Sequence, residues 1–235
     1  MIGNLYIDGV NSADYGVFVT EAGIYNAPYR ILQSYRIPGR NGDLFYDTGS
    51  YSNVTIRYPC VIYKDFNKRI KDWQNFVLSK SGYCRIVDSF EPEEYRLGVF
   101  SGEFDIKKSD RTIGIFDMEF NCKPQRYWRS GDREIDVVSG EVIFNPTSQE
   151  AKPIIKVYGY GTLSIGSETI IIDNYSSEYV IIDCEIQDCY REGINLNRYV
   201  TLSSKKFPVL KSGLNGISYS GNITRVVITP RWWEL

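Results

Sequence analysis

Apolar and polar residues alternate along most of the chain, which is the pattern of half-buried β-strands. In the first half the alternation runs through "NLYIDGV", "DYGVFVTEAGIY" and the long stretch from Tyr29 to Tyr63. That long stretch is interrupted by "IPGRNGD", in which Asn41-Gly42 is a strong turn signal, because both residues tolerate positive φ. The first half is therefore predicted to be mostly strands joined by tight turns.

One segment has a different period. Phe66, Ile70, Trp73 and Val77 are spaced by four, three and four residues, so they would share one face of a helix. We predict one amphipathic helix at about residues 65–80, with Asp65 as its N-cap and Gly82 after its end, that covers a sheet.

The second half contains seven short alternating runs between "KPIIKVYGYG" and "TRVVITPR", separated by Gly, Asn, Ser and Asp. Short strands at this spacing favour a β-sandwich. The polar stretch at 131–141 is predicted to be a linker between a first domain at 1–130 and a second domain at 142–235. The expected fold class is thus mainly β with one helix: a β-sandwich or barrel-like domain followed by a β-sandwich.

Composition narrows the chemistry. The chain has 235 residues, 19 tyrosines, no histidine and a formal net charge of −2. Without histidine, Ser-His-Asp and Cys-His catalysis within this chain are excluded, and the near-neutral charge gives no bulk attraction to nucleic acid. The five cysteines form no CxxC motif, so we expect buried reduced thiols rather than disulfides or a zinc site. We expect no cofactor, no metal, no signal peptide and no membrane insertion.

The stretch "DCEIQDC" holds the strongest candidate for catalysis. Asp183 and Glu185 share one face of a strand, as paired carboxylates of a glycosidase would. Residues two apart in a strand are too far separated for a retaining pair, so an exposed strand end is the favoured interpretation. We therefore expect no catalytic residue.

Two stretches a hundred residues apart leave a strand through proline into arginine and aromatic residues. They are "KPQRYW" and "TPRWWEL". Such side chains either cap the core of their own domain or anchor an interface, since Trp, Tyr and Arg dominate binding hot spots. Both alternatives stay open for the candidate interface residues Arg126, Tyr127, Trp128, Arg231, Trp232 and Trp233.

The order of these motifs resembles the distal tail proteins of long non-contractile-tailed bacteriophages, the siphophage tail-tip or baseplate hub family. The stretches that carry the resemblance are "YIDGVNSADYGVFVTEA", "YRIPGRNGDLFYDTGSYSNVTIRYP", "FNCKPQRYW", "FNPTSQEAKPIIKVYGYGTLSI", "YVIIDCE" and "FPVLKSGLNGISYSGNITRVVITPRWWEL". The resemblance covers nearly the whole chain, and the family has no catalytic signature to transfer.

The resemblance implies a virion structural protein that forms a homo-hexameric ring. The N-terminal domain would be the belt of that ring, and Gly39, Arg40, Asn41 and Gly42 would shape a turn between subunits. The C-terminal domain would be a galectin-like β-sandwich whose last strand returns toward the domain junction.

The same resemblance implies partners and a location. The ring would lie at the distal end of the tail, after synthesis in the host bacterial cytoplasm. It would join the tail tube protein to the tail-associated lysin or tail-tip protein and to receptor-binding or baseplate proteins. DNA would pass through its lumen without specific binding, past a wall richer in Asp and Glu than in Lys and Arg.

Two alternatives come from other functional classes. One is a carbohydrate-binding β-sandwich that attaches to host cell-surface glycans through Tyr and Trp. The other is a glycoside hydrolase that uses Asp183 or Glu185.

Overall fold

Strands occupy most of both halves of the chain in the computed structural model, which describes residues 2–23, 26–63, 66–108, 113–175 and 177–235. The chain divides into two units, one comprising Met1–Arg126 with Leu235 and the other Tyr127–Glu234. The described residues contain a single α-helix. The predicted fold class, mainly β with one helix, is confirmed.

The first unit is built on one antiparallel sheet and a separate hairpin. Its strands are β1 (Leu5–Ile7), β2 (Val10–Asn11), β3 (Val17–Val19), β4 (Arg30–Arg36), β5 (Asp43–Tyr51), β6 (Val54–Tyr63), β7 (Cys84–Asp88), β8 (Glu94–Phe100), β9 (Lys107–Lys108) and β10 (Ile113–Trp128), which continues into the second unit. The sheet has the order β2-β1-β7-β8-β10-β6-β3, and β9 also pairs with β10. The long strands β10 and β6 stay in register over ten residue pairs, from Ile113 opposite Tyr63 to Cys122 opposite Val54.

The helix α1 (Phe66–Leu78) supplies the apolar face that its spacing predicts. Ile70, Trp73 and Val77 are all buried in the core cluster of the first unit. Trp73 also packs against Tyr15, with ring centroids 5.3 Å apart. The predicted N-cap, Asp65, lies outside the described residues. Gly82 has φ of +76°, in the turn between α1 and β7.

The second unit is a sandwich of two sheets. Its strands are β11 (Ile135–Val137), β12 (Val142–Asn145), β13 (Ile154–Tyr158), β14 (Gly161–Ile165), β15 (Glu168–Ile172), β16 (Tyr179–Asp183), β17 (Asp188–Arg191), β18 (Ile194–Asn195), β19 (Val200–Leu202), β20 (Gly213–Gly221), β21 (Arg225–Thr229) and β22 (Trp233–Glu234). One sheet has the order β11-β21-β13-β16-β17-β18, and the other has the order β12-β20-β14-β15-β19. Ile155 and Ile182 from the first sheet pack with Leu163 and Ile217 from the second in one core cluster.

Strand β11 lies in the segment for which the sequence predicts a linker. Ile135 pairs with Ile228 and Val137 with Val226, so these residues form an edge of the second unit's sheet. The predicted domain limits themselves stay a prediction.

All five cysteines are free and buried, as the sequence analysis expects. Burial raises the pKa of Cys122 to about 11 and the pKa of Cys189 to about 12. Both thiols are therefore protonated near neutral pH and poorly reactive. In the described part of the chain, no helix has the length and apolar character that crossing a membrane requires.

Candidate functional site

The hairpin of β4 and β5 stands apart from the sheet of the first unit. These strands pair with each other, and within the described residues neither joins a larger sheet. The register runs from Leu32 opposite Asp47 to Arg36 opposite Asp43. Every residue from 29 to 50 is exposed. The segment therefore has little core of its own. An isolated two-stranded hairpin of this kind is only marginally stable in water.

Both faces of the hairpin carry apolar side chains. Tyr35 pairs with Leu44, and Tyr46 lies on the same face because side chains alternate along a strand. Leu32 and Phe45 lie on the opposite face, and Phe45 and Tyr46 are 63% and 61% exposed. Exposed apolar surface of this kind is typical of interaction sites. The three adjacent apolar residues at 44–46 break the alternation, so both faces of β5 carry apolar side chains.

Polar contacts hold the base of the hairpin. The Arg30 guanidinium donates hydrogen bonds to Asp47 at 2.6 Å and to the Tyr51 hydroxyl at 2.7 Å. The hydrogen bond from Arg30, followed by one from the Gly49 N–H, lowers the pKa of Asp47. Ser34 donates to Asp43 at 2.8 Å nearer the tip. These contacts fix the register while leaving the apolar side chains free to meet a partner.

The four residues predicted to shape a subunit turn form the tip of this hairpin. Gly39 and Gly42 have φ values of +78° and +82°, a conformation that glycine adopts without the strain of a Cβ. The Arg40 N–H donates to the Ile37 carbonyl at 3.2 Å and closes the turn. Asn41 lies beside Gly42 and is exposed. Their role between subunits stays a prediction.

The chain does not leave a strand at Pro124, which corrects the sequence prediction, because β10 runs on through Arg126 to Trp128. Arg126 is held by contacts within the first unit. It pairs with Glu94 at 3.1 Å and donates to the Leu235 carbonyl at 3.1 Å. Its side chain is 25% exposed, so most of it is committed to these contacts. Its role at an interface stays a prediction.

The aromatic residues that begin and end the second unit come together in it. The backbone N–H of Trp128 donates to the backbone carbonyl of Trp232 at 2.9 Å. Trp232 is 5% exposed and belongs to the core cluster. A Cβ on Gly131 would lie 2.2 Å from the Trp232 nitrogen, so only glycine fits this approach. These contacts favour core capping for Trp232, which has little surface left for a partner.

The other two aromatic candidates are partly buried. The Trp233 indole N–H donates to the Glu150 carbonyl at 3.0 Å. Burial, followed by the charge of Glu185, raises the pKa of Tyr127 to about 12. Both side chains therefore serve the second unit directly, and an additional role at an interface is untested.

Arg231 and Asp183 form a bidentate ion pair at 2.7 and 2.9 Å. The Asp183 side chain is 5% exposed, which corrects the expectation of an exposed strand end. Burial alone would raise the pKa of Asp183, but the hydrogen bond and charge of Arg231, with backbone N–H donors, bring that pKa below its usual value. The partner is 48 residues away, and strand alternation alone could not reveal it.

This pairing bears on the candidate catalytic carboxylates. Asp183 also accepts the Glu185 N–H at 3.0 Å, while the Glu185 carboxylate pairs with Lys152 at 3.3 Å. An ionised carboxylate held by arginine is a poor general acid, because it does not carry the proton that it must donate. The pairing with Arg231 therefore disfavours Asp183 as a general acid and makes it part of the contacts that hold the second unit together.

A cavity of about 300 Å³ in the second unit has no counterpart in the sequence analysis. Tyr175 and Tyr199 stack beside it with ring centroids 5.6 Å apart. Arg191 and Arg198 also line it, and the buried Tyr175 hydroxyl has no hydrogen-bond partner among the described residues. This combination of ring surface and polar groups could receive a small polar ligand.

Comparisons with known proteins bear on the fold. No protein-family model matches the sequence, and no curated protein matches it either. Among solved structures, the chain is similar to the Dit (gp 19.1) protein of SPP1, described as a paradigm of the hub adsorption apparatus in phages that infect Gram-positive bacteria. The TM-score is 0.71 at 15% identity, over 99% of each chain. The likeness to distal tail proteins stated from the sequence is therefore confirmed at the level of the fold, which this chain shares with the SPP1 hub protein over essentially its full length.

Proposed function

We propose that the chain is a distal tail protein: a structural component of the tail-tip hub of a long-tailed bacteriophage that forms a hexameric ring. The observation that carries the proposal is the hairpin of β4 and β5, which has apolar side chains on both faces and is exposed from residue 29 to residue 50. In a chain with the fold of a phage hub protein, such a hairpin is best explained as a contact with a neighbouring copy.

A ring supplies what the hairpin lacks. In a closed cyclic oligomer each subunit uses one surface toward the next subunit and a different surface toward the previous one. The hairpin would be the first of these surfaces. Burying Leu44, Phe45 and Tyr46 against a neighbour would contribute on the order of 1.5–3 kcal/mol for each fully buried side chain. The neighbour would also cover the open strand edges, which otherwise promote aggregation.

The finer roles follow from the resemblance to the family. The ring would lie at the distal end of the tail, between the tail tube protein and the tail-tip, lysin and receptor-binding or baseplate proteins. DNA would pass through the lumen without specific contacts. The role needs no bond-making step, and the engagement of Asp183 by Arg231 fits a protein that is not an enzyme.

Electron microscopy of the purified chain tests the ring. We expect negatively stained class averages to show sixfold annuli with a central hole. The variant Leu44→Ser, Phe45→Ser, Tyr46→Ser removes the apolar residues of one strand and should leave monomers. The matched control is Leu214→Ser, which replaces an apolar residue that is 77% exposed in the second unit and should leave the annuli intact.

The outcomes separate cleanly. Annuli in the triple variant would contradict the role of the hairpin. Monomers of the unmodified chain, both alone and with tail tube protein added, would contradict the ring itself.

A second candidate function is carbohydrate binding by the second unit, and the cavity beside Tyr175 and Tyr199 is the observation that favours it. We expect cell-wall glycans, if they bind there, to lose affinity in Arg198→Ala, since Arg198 stacks on Tyr199 at 4.6 Å. Lys206→Ala removes an exposed cation elsewhere in the unit and is the matched control. A glycan array with no signal for the unmodified chain would dismiss this candidate.

A further inference from the structure

The chain contains two Asn-Gly pairs in opposite surroundings, Asn41-Gly42 and Asn215-Gly216. The first lies at the tip of the exposed hairpin, and the second lies within β20 of the second unit. Asn-Gly is the dipeptide most prone to deamidation, because glycine has no side chain to shield its backbone nitrogen. The two pairs share this intrinsic chemistry, so the fold decides which of them reacts.

The Asn215 side chain is held in place. It is 4% exposed, and its Oδ1 accepts the Lys211 N–H at 2.8 Å. Its Nδ2 donates to the Lys211 carbonyl at 2.8 Å and to the Gly213 carbonyl at 3.0 Å. Asn215 also lies in the β-ladder opposite Ile143. The side chain cannot turn toward the Gly216 nitrogen without breaking several buried hydrogen bonds, each costly to leave unmade.

Asn41 has none of these restraints. It is exposed, and its side chain makes no hydrogen bond within the described part of the chain. Gly42 has φ of +82°, and a Cβ built on it would meet no atom within 4 Å, so the space around its backbone is open. The amide carbon of Asn41 can therefore approach the Gly42 nitrogen, and water can reach both.

We propose that Asn41 is a site of spontaneous deamidation, whereas Asn215 is protected by the fold. The Gly42 backbone nitrogen loses its proton and attacks Cγ of Asn41, which forms a C–N bond and closes a succinimide. The Cγ–Nδ2 bond breaks, and ammonia leaves with the proton. Water then opens the ring at either carbonyl and gives aspartate or isoaspartate, so the net change is uptake of water and loss of ammonia.

The product changes the hairpin tip in two ways. A carboxylate replaces an amide two residues before Asp43 and makes the formal net charge of −2 more negative by one. Isoaspartate also routes the main chain through Cβ, which lengthens the turn between β4 and β5. The reaction needs the exposed turn that the single chain presents, so it is tested on dilute protein that has not assembled.

Peptide mapping by mass spectrometry tests the proposal. The purified full-length chain is incubated in mildly alkaline buffer and digested with trypsin, which yields peptides spanning residues 41–57 and 212–225. We expect the mass change of amide hydrolysis to accumulate at Asn41, assigned by fragmentation, and not at Asn215. Asn41→Gln should abolish the modification at the tip, because glutamine closes the corresponding ring far more slowly. In concentrated urea, both Asn-Gly pairs should react.

Each outcome decides one part of the proposal. Equal or faster modification of Asn215 in the folded chain, or an unmodified Asn41, would overturn it. If Asn215 remained unmodified in urea as well, its protection would not come from the fold, and the proposed contrast would be wrong.

Discussion

The hairpin tip and the carboxyl-terminal turn place similar residues in opposite surroundings. Both place bulky apolar or aromatic side chains next to arginine and acidic residues, in "RNGDLFYD" and "TPRWWEL". In the hairpin, Phe45 is 63% exposed, whereas in the turn Trp232 is 5% exposed. The local sequence does not distinguish the two, so the difference must come from what lies opposite each segment in the fold.

Opposite the turn lies a complete set of partners. Gly131 allows close approach of the Trp232 backbone, and Asp183 neutralises Arg231. The Arg231 backbone, with φ of +60°, also donates to the Gly131 carbonyl at 2.8 Å. Among the residues that the structure describes, each strand of the hairpin pairs only with the other. Aromatic residues next to arginine therefore indicate a contact surface, and only the long-range contacts show whether the chain itself provides the other side.

The largest effect is expected from Trp232→Ala. The substitution leaves a cavity in the core of the second unit, and truncations of this kind cost about 3–5 kcal/mol in the free energy of unfolding. Urea denaturation followed by circular dichroism measures the loss. Leu214→Ala, at a position that is 77% exposed, is the control and should change stability by less than about 0.5 kcal/mol. Similar losses in both variants would show that Trp232 is not a core residue.

A smaller loss is expected from Asp183→Asn. The variant leaves the Arg231 guanidinium partly buried without its hydrogen-bonded counter-charge. Since that side chain is 26% exposed, we expect a cost of about 2–3 kcal/mol. Because the folded-state pKa of Asp183 is lowered, its stabilising contribution is present above the unfolded pKa and is lost as pH falls. The loss begins near the ordinary value of 3.8 and continues below it.

Acid titration of stability checks the sign. The unmodified chain should lose more stability on acidification than Asp183→Asn does. Asp136→Asn removes a carboxylate that is 62% exposed and pairs with Arg225. Because solvent screens an exposed pair, it should change the acid dependence far less than Asp183→Asn does. An identical acid profile for Asp183→Asn and the unmodified chain would mean that the Arg231 pair does not stabilise the fold.

Sequence reasoning reached some of these features and missed others for physical reasons. The helix could be predicted from the sequence because Ile70, Trp73 and Val77 repeat at the helical period. The turn at Asn41-Gly42 could be predicted because it depends on local backbone preferences. The burial of Asp183 could not be predicted, because it depends on an ion pair with an arginine 48 residues away.

The separation of the hairpin from the sheet shows a different limit. Alternation predicts a strand equally well whether it joins a sheet or stands alone, so β5 and β6 look alike until their partners are known. Strand β6 has Val54, Ile56 and Tyr58 buried in the first unit, whereas the apolar residues of β5 are exposed. An unbroken apolar run does not separate the two strands either, since β5 has Leu44, Phe45 and Tyr46 and β6 has Val61, Ile62 and Tyr63.

Arg126→Ala should lower the free energy of unfolding only modestly. It compares the stretch "KPQRYW" with the stretch "TPRWWEL". Its pair with Glu94 is about one quarter exposed on both sides, and pairs of this kind contribute about 0.5–1 kcal/mol. Urea denaturation measures the change, and Arg57→Ala, which removes a more exposed partner of Glu119, serves as a control. A loss as large as that of Asp183→Asn would mean that the two stretches are anchored equally firmly.

The smallest effect on folding is expected from Phe45→Ser, and it carries the comparison furthest. Since Phe45 is 63% exposed, the substitution should change the free energy of unfolding of the monomer by less than about 0.5 kcal/mol. Association should weaken sharply, because a serine in place of a buried aromatic anchor removes the kind of contact that dominates interfaces. Sedimentation velocity over a range of concentrations measures the association, and unfolding of the dilute protein measures the stability.

These two measurements on one variant decide whether the exposed apolar side chains of the hairpin bind a partner. Lost association with unchanged stability means that the apolar faces of β4 and β5 serve a partner. Unchanged association together with lost stability means that Phe45 packs within its own chain, and the contrast with Trp232 then disappears. Thr48→Ala is the internal control, since the Thr48 hydroxyl donates to the Ile31 carbonyl at 2.8 Å within the hairpin. This variant should weaken association only if hydrogen bonds within the hairpin are needed to position its apolar side chains.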